Sequence, residues 1–462
     1  MYNLQELPVA VIGAGPVGMA AAAHLRERGL AVRLYESGPH VGSYIRDWGH
    51  VRVFTPWRYC VDDASVRLLE QVGWRMPDPE AFPTGDELVS RYLEPLASAP
   101  AIAAVLHLDT QVVAVTRRGV DKVGSKDRSS RPFSLLVKTP LGTRRDSARA
   151  VIDASGTWGQ PNPLGADGLP ADGEADNATH ITYGIPDVLG KDREKFENRA
   201  TLVVGSGHSA ANSLLDLVEL KKHASRTRFL WATRGSDLAR IYSGGDADEL
   251  PARGQLGANV RELVESGEVE LAAGFATTRI ARSKGRLVVE GQTSDGIRQL
   301  GPVDRIIGAT GQRPDLALTR EIRLDLDPWL ESAKALGPLI DPNEHSCGTV
   351  PPHGHRELSH PDPGFYTAGI KSYGRAPTFL LRTGYEQVRS IAAAIAGDFN
   401  AADAIELVLP ETGICSGPTL EPGTESQGCC GGPAPLEVDA CCLLDAQEKA
   451  SGKSGCGCEA RA

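Results

Sequence analysis

Cysteine is scarce through most of this chain: only Cys60 and Cys347 precede Cys415 in a sequence of 462 residues. That distribution excludes the evenly spaced framework of a disulfide-stapled secreted domain. No block of Lys and Arg stands out, and the formal net charge is −10. Nucleic acid is therefore not an expected partner, because phosphate binding needs concentrated basic surface. No stretch approaches the ~20 apolar residues of a membrane span. A basic-then-apolar leader is also missing, since Pro8 leads straight into an apolar strand. The expectation is a cytoplasmic protein whose thiols stay reduced. Against these absences, 41% hydrophobic and 23% charged residues describe an ordinary globular chain, long enough for two or three domains.

What is present begins with PVAVIGAGPVGMAAAAHLRERGLAVRLYESG. Val9 to Ile12 read as a short buried strand, Met19 to Arg28 as a helix closed by Gly29, and Ala31 to Tyr35 as a second strand. Between strand and helix, Gly13, Gly15 and Gly18 form G-x-G-x-x-G with Pro16 inside it. Gly13 permits the turn, Gly15 lets backbone approach a pyrophosphate, and Gly18 lets helix and sheet pack closely. The helix N-terminus then presents its partial positive charge to the phosphates. Glu36, ending the second strand, is placed to bond a ribose.

ATLVVGSGHSAANSLLDLVEL repeats this design in mid-chain. Thr201 to Val204 supply the strand, and Gly205, Gly207 and Ala210 take the three small-residue positions, with His208 and Ser209 inside the turn. The following strand, RTRFLWATRG, ends without an acid. Arg234 stands there instead, suited to clamping a 2′-phosphate and so favouring NADPH over NADH; the plainer alternative is a solvated loop charge. His208 would lie near the pyrophosphate or nicotinamide. Two further strands leave through small residues, Ala150 to Ala154 into Ser155-Gly156 and the strand of VDRIIGATG into Thr310-Gly311, as two interleaved nucleotide-binding domains require. After Gly369, a loop leads into a last helix with apolar Tyr385, Val388, Ile391 and Ile395, ending at Gly397-Asp398.

With these motifs, the chain resembles the flavoproteins with two dinucleotide-binding domains, and more narrowly the flavin-dependent monooxygenases. FPTGDELVSRYLEPLA supports this, since members carry a similar Pro-Thr-Gly before an amphipathic helix. DWGHVRVFTPW, GTWGQPN and GIKSYGRAPTFL resemble flavin monooxygenases encoded in bacterial arsenic-resistance gene clusters. The resemblance implies an α/β fold of two Rossmann-like domains: FAD on residues 1–165 and 311–410, an NADPH domain inserted at 166–310, and a tail at 411–462. It implies FAD on the first motif, NADPH on the second, and a small-molecule substrate with molecular oxygen. One departure concerns the F-x-G-x-x-x-H monooxygenase fingerprint. Here NATHITYGIPDV keeps His180 but lacks F-x-G and the following basic residue, so Baeyer–Villiger or N-hydroxylating chemistry is not secured. Disulfide reductases of similar architecture carry a redox cysteine pair beside the flavin, and neither glycine motif here has one. Oxygen is then the most available acceptor for electrons from reduced flavin.

Candidates near the flavin follow from position. Trp48, His50 and Arg52 lie on the segment after Glu36, and Lys371 and Arg375 lie on the loop after Gly369. A cation in either place could stabilise negative charge on reduced flavin.

The tail changes character. From Glu411 it holds eight acidic residues against Lys449, Lys453 and Arg461, has no aromatic residue, and is expected to be disordered. It carries Cys429, Cys430, Cys441, Cys442, Cys456 and Cys458. Structural zinc favours C-x-x-C, whereas two of these pairs are adjacent. Cys458 is fifth from the end, one position off a prenylation signal, and an acidic tail suits palmitoylation poorly. The reading that remains is capture of a soft trivalent ion such as arsenic or antimony, with redox exchange or another metal as alternatives. Two further function classes stay open: a reductase passing electrons from flavin to the tail thiols or a bound metal, and a metalloid-binding protein on a flavoprotein scaffold.

Overall fold

The computed structural model describes residues 3–242, 251–342 and 350–407. Cys347, Cys415 and the whole thiol-rich tail, with the expectations attached to them, lie outside these residues.

Two parallel five-stranded sheets organise the chain. In the first, Val9–Ile12 runs between Ala150–Asp153 and Val32–Tyr35, with Phe365–Thr367 and Leu106–His107 at the edges. Val11 pairs with Leu34 on one side and Ile152 on the other. Every residue of Val9–Ile12 is buried, which is why the sequence shows an unbroken apolar run there instead of an alternation. The helix Pro16–Glu27 follows, with Pro16 in its first turn and Gly15 at its N-cap. Its buried Ala20 to Ala23 let it lie close to the sheet and against the long helix Leu381–Ala396. That helix ends where Gly397 turns left-handed at φ +86°.

The second sheet has the order Glu270–Ala272, Arg228–Ala232, Ala200–Val204, Arg305–Gly308, Ile181–Tyr183, again all parallel. Its helix, His208–His223, starts at the second glycine turn. Two antiparallel three-stranded meanders, over residues 111–148 and 276–303, complete the layers.

The chain leaves the first sheet and returns to it through connections that pair with each other. Asn162 N–H donates to the Gly311 carbonyl at 2.9 Å, and the Thr310 hydroxyl donates to the Asn162 carbonyl at 2.5 Å. Pro161 and Gln312 form a bridge, and Arg313 N–H donates to the Gln160 carbonyl. Both exits rely on a left-handed glycine, Gly156 at φ +72° and Gly311 at φ +81°. No helix among the described residues is long and apolar enough to cross a membrane.

Candidate cofactor cleft

Residues of both glycine motifs line one cleft of about 750 Å³, within the usual range for small-molecule and cofactor sites. Gly13, Gly15 and Pro16 come from the first turn, His208 and Ser209 from the second. The two turns share a construction. A Cβ on Gly13 would come within 2.7 Å of the Ala154 carbonyl oxygen, and one on Gly205 within 2.1 Å of the Ala309 carbonyl oxygen. Both glycines are held at positive φ, +96° and +136°. Gly15 and Gly207, by contrast, would meet no protein atom within 4 Å. The space before each is open, at a helix N-terminus whose N–H groups face it, so a pyrophosphate fits both places. Gly18 serves packing, as its Cβ would collide with the Gly13 carbonyl.

Glu36 lines the cleft from the end of its strand. One carboxylate oxygen accepts the Ala14 N–H and the other the Gly38 N–H, each at 2.9 Å. These bonds fix the carboxylate at the edge of the glycine turn, where a ribose would pass. Gly369 closes the opposite side at φ +70°, its N–H held by the buried Gln387 side chain at 2.8 Å.

Aromatic groups supply much of the remaining wall. Trp48 and Trp158 stand 6.4 Å apart, and the Trp158 indole N–H donates to Asp47 at 2.9 Å. Phe54 reaches across from the first glycine domain into the core beneath the second, its ring edge-on to His208 at 5.1 Å. Arg52 lines the cleft, its guanidinium donating to the Phe82 carbonyl.

The other expected residues fall elsewhere. His50 sits behind the wall, where burial lowers its pKa and the carboxylates of Asp187, Asp192 and Asp86 partly oppose that. Lys371 does not line the cleft; its amine lies in a buried ion pair with Asp153 at 2.7 Å, and Arg375 bonds Glu331 at 2.7 Å. Arg234 follows the strand end on the second sheet, donating to the Ala166 carbonyl at 3.0 Å. His180 bonds the Asp304 carbonyl at 3.3 Å. Phe54, Trp158, Ser155, Asn212 and Arg253 line the cleft without having been singled out by sequence. Phe54, Trp158, Ser155 and Asn212 lie within segments noted in the sequence, and Arg253 does not.

Cys60 is fully buried, with its sulfur 3.3 Å from the Thr55 hydroxyl. Burial pushes its thiol up to about 11, so it is not a thiolate at neutral pH. Among the described residues, no cluster of His, Cys, Asp and Glu could hold a metal ion.

Comparison with known proteins agrees with this geometry. Residues 11–69 match the family of NAD(P)-binding Rossmann-like domains. The chain is 26% identical to the flavin-containing monooxygenase FMO GS-OX-like 3 of Arabidopsis thaliana, over 46% of this chain and 49% of that protein. It is also 26% identical to a ferredoxin–NADP reductase of Lactiplantibacillus plantarum, over 52% of this chain and 60% of that one. The chain thus spans about half or somewhat more of the relatives it matches. Among solved structures, a bacillithiol disulfide reductase from Bacillus cereus shares the fold with a TM-score of 0.62, at 17% identity over 85% of this chain and 99% of that one. The comparisons support FAD and NADPH as cofactors.

Proposed function

We propose that this chain is an FAD-dependent, NADPH-consuming monooxygenase that transfers one oxygen atom to a soft nucleophile, a trivalent arsenical being the favoured substrate. The convergence of both glycine turns on one cleft carries the reading. It lets a nicotinamide bound at the second turn meet a flavin bound at the first. On this reading the FAD site comprises Gly13, Gly15, Pro16, Gly18, Glu36, Trp48 and Gly369. The NADPH site comprises Gly205, Gly207, His208, Ser209 and Arg234, whose guanidinium meets the 2′-phosphate. Residues 166–310 form the NADPH domain, flanked by the two parts of the FAD domain. Arg52, a cation on the cleft wall, stabilises negative charge on reduced flavin. With Cys60 sealed in the core, the electron acceptor enters the cleft from outside, and oxygen serves.

The tail thiols collect the metalloid. Cys429-Cys430, Cys441-Cys442 and Cys456-Gly-Cys458 keep a second sulfur near the first capture, which raises its effective concentration. Sequence similarity to ferredoxin–NADP reductases favours a second reading, an NADPH-dependent reductase. Oxygen dependence separates the two, because a reductase turns over anaerobically.

The deciding experiment compares NADPH consumed with hydrogen peroxide released in air, with and without methylarsenite or arsenite and with catalase controls. Oxygen transfer lowers peroxide per NADPH and yields matching pentavalent product. Peroxide that always equals NADPH removes arsenicals from the mechanism. Truncation after Thr412 should leave FAD and NADPH binding intact and raise the arsenical concentration for half-maximal turnover. An unchanged concentration dependence would take the tail out of catalysis.

A further inference from the structure

Asp153 is fully buried and Lys371 is 2% exposed, yet the cleft uses neither side chain directly. A buried ion pair is weak as a stabilising device, because desolvation offsets most of the attraction. Its surroundings suggest another use. Lys371 Nζ donates to the Ser155 hydroxyl at 3.0 Å, and that hydroxyl donates to Asp153 Oδ1 at 2.6 Å. Ser155 lines the cleft. On its other side the pair borders a second cavity of about 10 Å³, lined also by Thr319, Thr367 and Glu331. That volume is about the size of a single water, and Leu316, Leu324, Leu326 and Ala333 complete its wall. The Glu331 side chain is about a third exposed and bonds Arg375 at the surface. A polar series therefore runs from solvent at Glu331, through a water-sized cavity and the Lys371–Asp153 pair, to Ser155 in the cleft.

The reaction needs such a route. NADPH, one proton, oxygen and substrate give NADP+, water and oxidised substrate, so each turnover takes up one proton. Uncoupled turnover to hydrogen peroxide takes up one as well. The cleft wall around the flavin site is largely aromatic and aliphatic. Resting on the flavin reading above, we propose that Ser155, Lys371 and Glu331, with one bridging water, relay protons into the cleft from the side of the loop after Gly369.

The Ser155 hydroxyl turns from Asp153 toward the cleft, passes its proton to the acceptor there and takes one from Lys371 Nζ. The resulting neutral amine is refilled from the cavity water, which draws on Glu331 and bulk solvent. Asp153 holds the amine in register. One proton moves inward, and no electron moves. Two other charged or titratable groups border this route, while Glu36, His208 and Asp315 line the cleft elsewhere. His360 bonds Thr367 at 3.2 Å and receives the Asp325 N–H, but burial holds it neutral with a pKa of about 4. Arg375 is a fixed charge on Glu331.

The test follows proton uptake with a pH-indicator dye as the bound flavin of the full chain is photoreduced without NADPH. Two electrons and one proton should be taken up together in the wild type. Ser155→Ala and Lys371→Met should retain bound flavin, judged by its visible spectrum, while uptake lags reduction by tenfold or more. Lys371→Arg keeps the charge and the pairing but cannot release a proton, so uptake should remain slow. Restoration to the wild-type rate by arginine would show a merely structural pair and overturn the relay. Ser155→Ala leaves the ion pair untouched and guards against misfolding of the lysine variants. Wild-type uptake in flavin-loaded Ser155→Ala sinks the relay alone. A wild-type protein that binds no flavin sinks the cofactor reading and the relay with it.

Discussion

Gly13 and Gly15 sit two positions apart, and only the first is demanded by the chain itself. Gly13 is left-handed and pressed against the Ala154 carbonyl, whereas Gly15 faces open space. Their alanine variants should therefore fail differently. Gly13→Ala should lower the stability of the flavin-free protein by roughly 1–3 kcal/mol, the usual cost of a strained backbone position, and lose flavin as a consequence. Gly15→Ala should leave flavin-free stability within about 0.5 kcal/mol, as for substitutions away from such constraints, and still lose flavin. Urea unfolding of the stripped proteins, beside their flavin content after reconstitution, reads both. Equal destabilisation would mean that Gly15 serves the fold and not a ligand. The sequence motif identifies both glycines; it carries no information about which collision each avoids. Lys371 shows the converse limit. Its place after Gly369 is legible, but the tight turn over Gly369–Tyr373 carries the side chain inward to Asp153, more than two hundred positions earlier in the chain. No local pattern encodes that partner.

At the scale of the element, the helix His208–His223 combines a ligand-facing start with an imperfect flank. Leu214, Leu217 and Leu220 are buried along its inner side, while Asp216 sits beside them, largely desolvated. Burial, and then the negative charge of Asp187, push the Asp216 carboxyl up to about 6. A folded value above the unfolded ~3.9 makes the ionised form a penalty on folding. Stability from this group is intact below about pH 4 and lost as pH rises through 6. Asp216→Asn should thus stabilise the protein at pH 7–8 by an amount on the order of 2 kcal/mol, shrinking toward zero near pH 4. Thermal midpoints of both proteins across that range would show it; a pH-independent difference would count against the assignment. Elements with strong apolar runs were legible: Val9–Ile12 is a strand as expected, and the helix Leu381–Ala396 stops at Gly397. The meanders were not. Gly142–Ala148 reads GTRRDSA and exposes its first four residues, so its partners hold it in place and its own hydrophobicity does not.

At the scale of the whole molecule, the two Rossmann motifs made the α/β class and both parallel sheets readable, because each motif fixes a strand, a turn and a helix together. The segments DWGHVRVFTPW, GTWGQPN and GIKSYGRAPTFL were noticed for their resemblance, but that their Phe54, Trp158 and Phe379 meet in one aromatic wall was not readable, since they share no spacing. The paired connections at Asn162 and Gly311 have a consequence for how such a chain can be cut and rejoined. The second sheet enters and leaves through residues that are hydrogen-bonded neighbours, so we propose that the segment between them can be removed as a cassette. Joining Asn162 to Gln312 through one or two glycines closes the gap without stretching the first sheet. The shortened protein should still fold and turn yellow with FAD, and NADPH should no longer bleach it while dithionite still does. A colourless, aggregated product would mean that the first sheet needs the second in order to stand. If the yellow protein forms, the socket for the reductant can be exchanged like a cartridge, and a module preferring another nicotinamide fitted in its place.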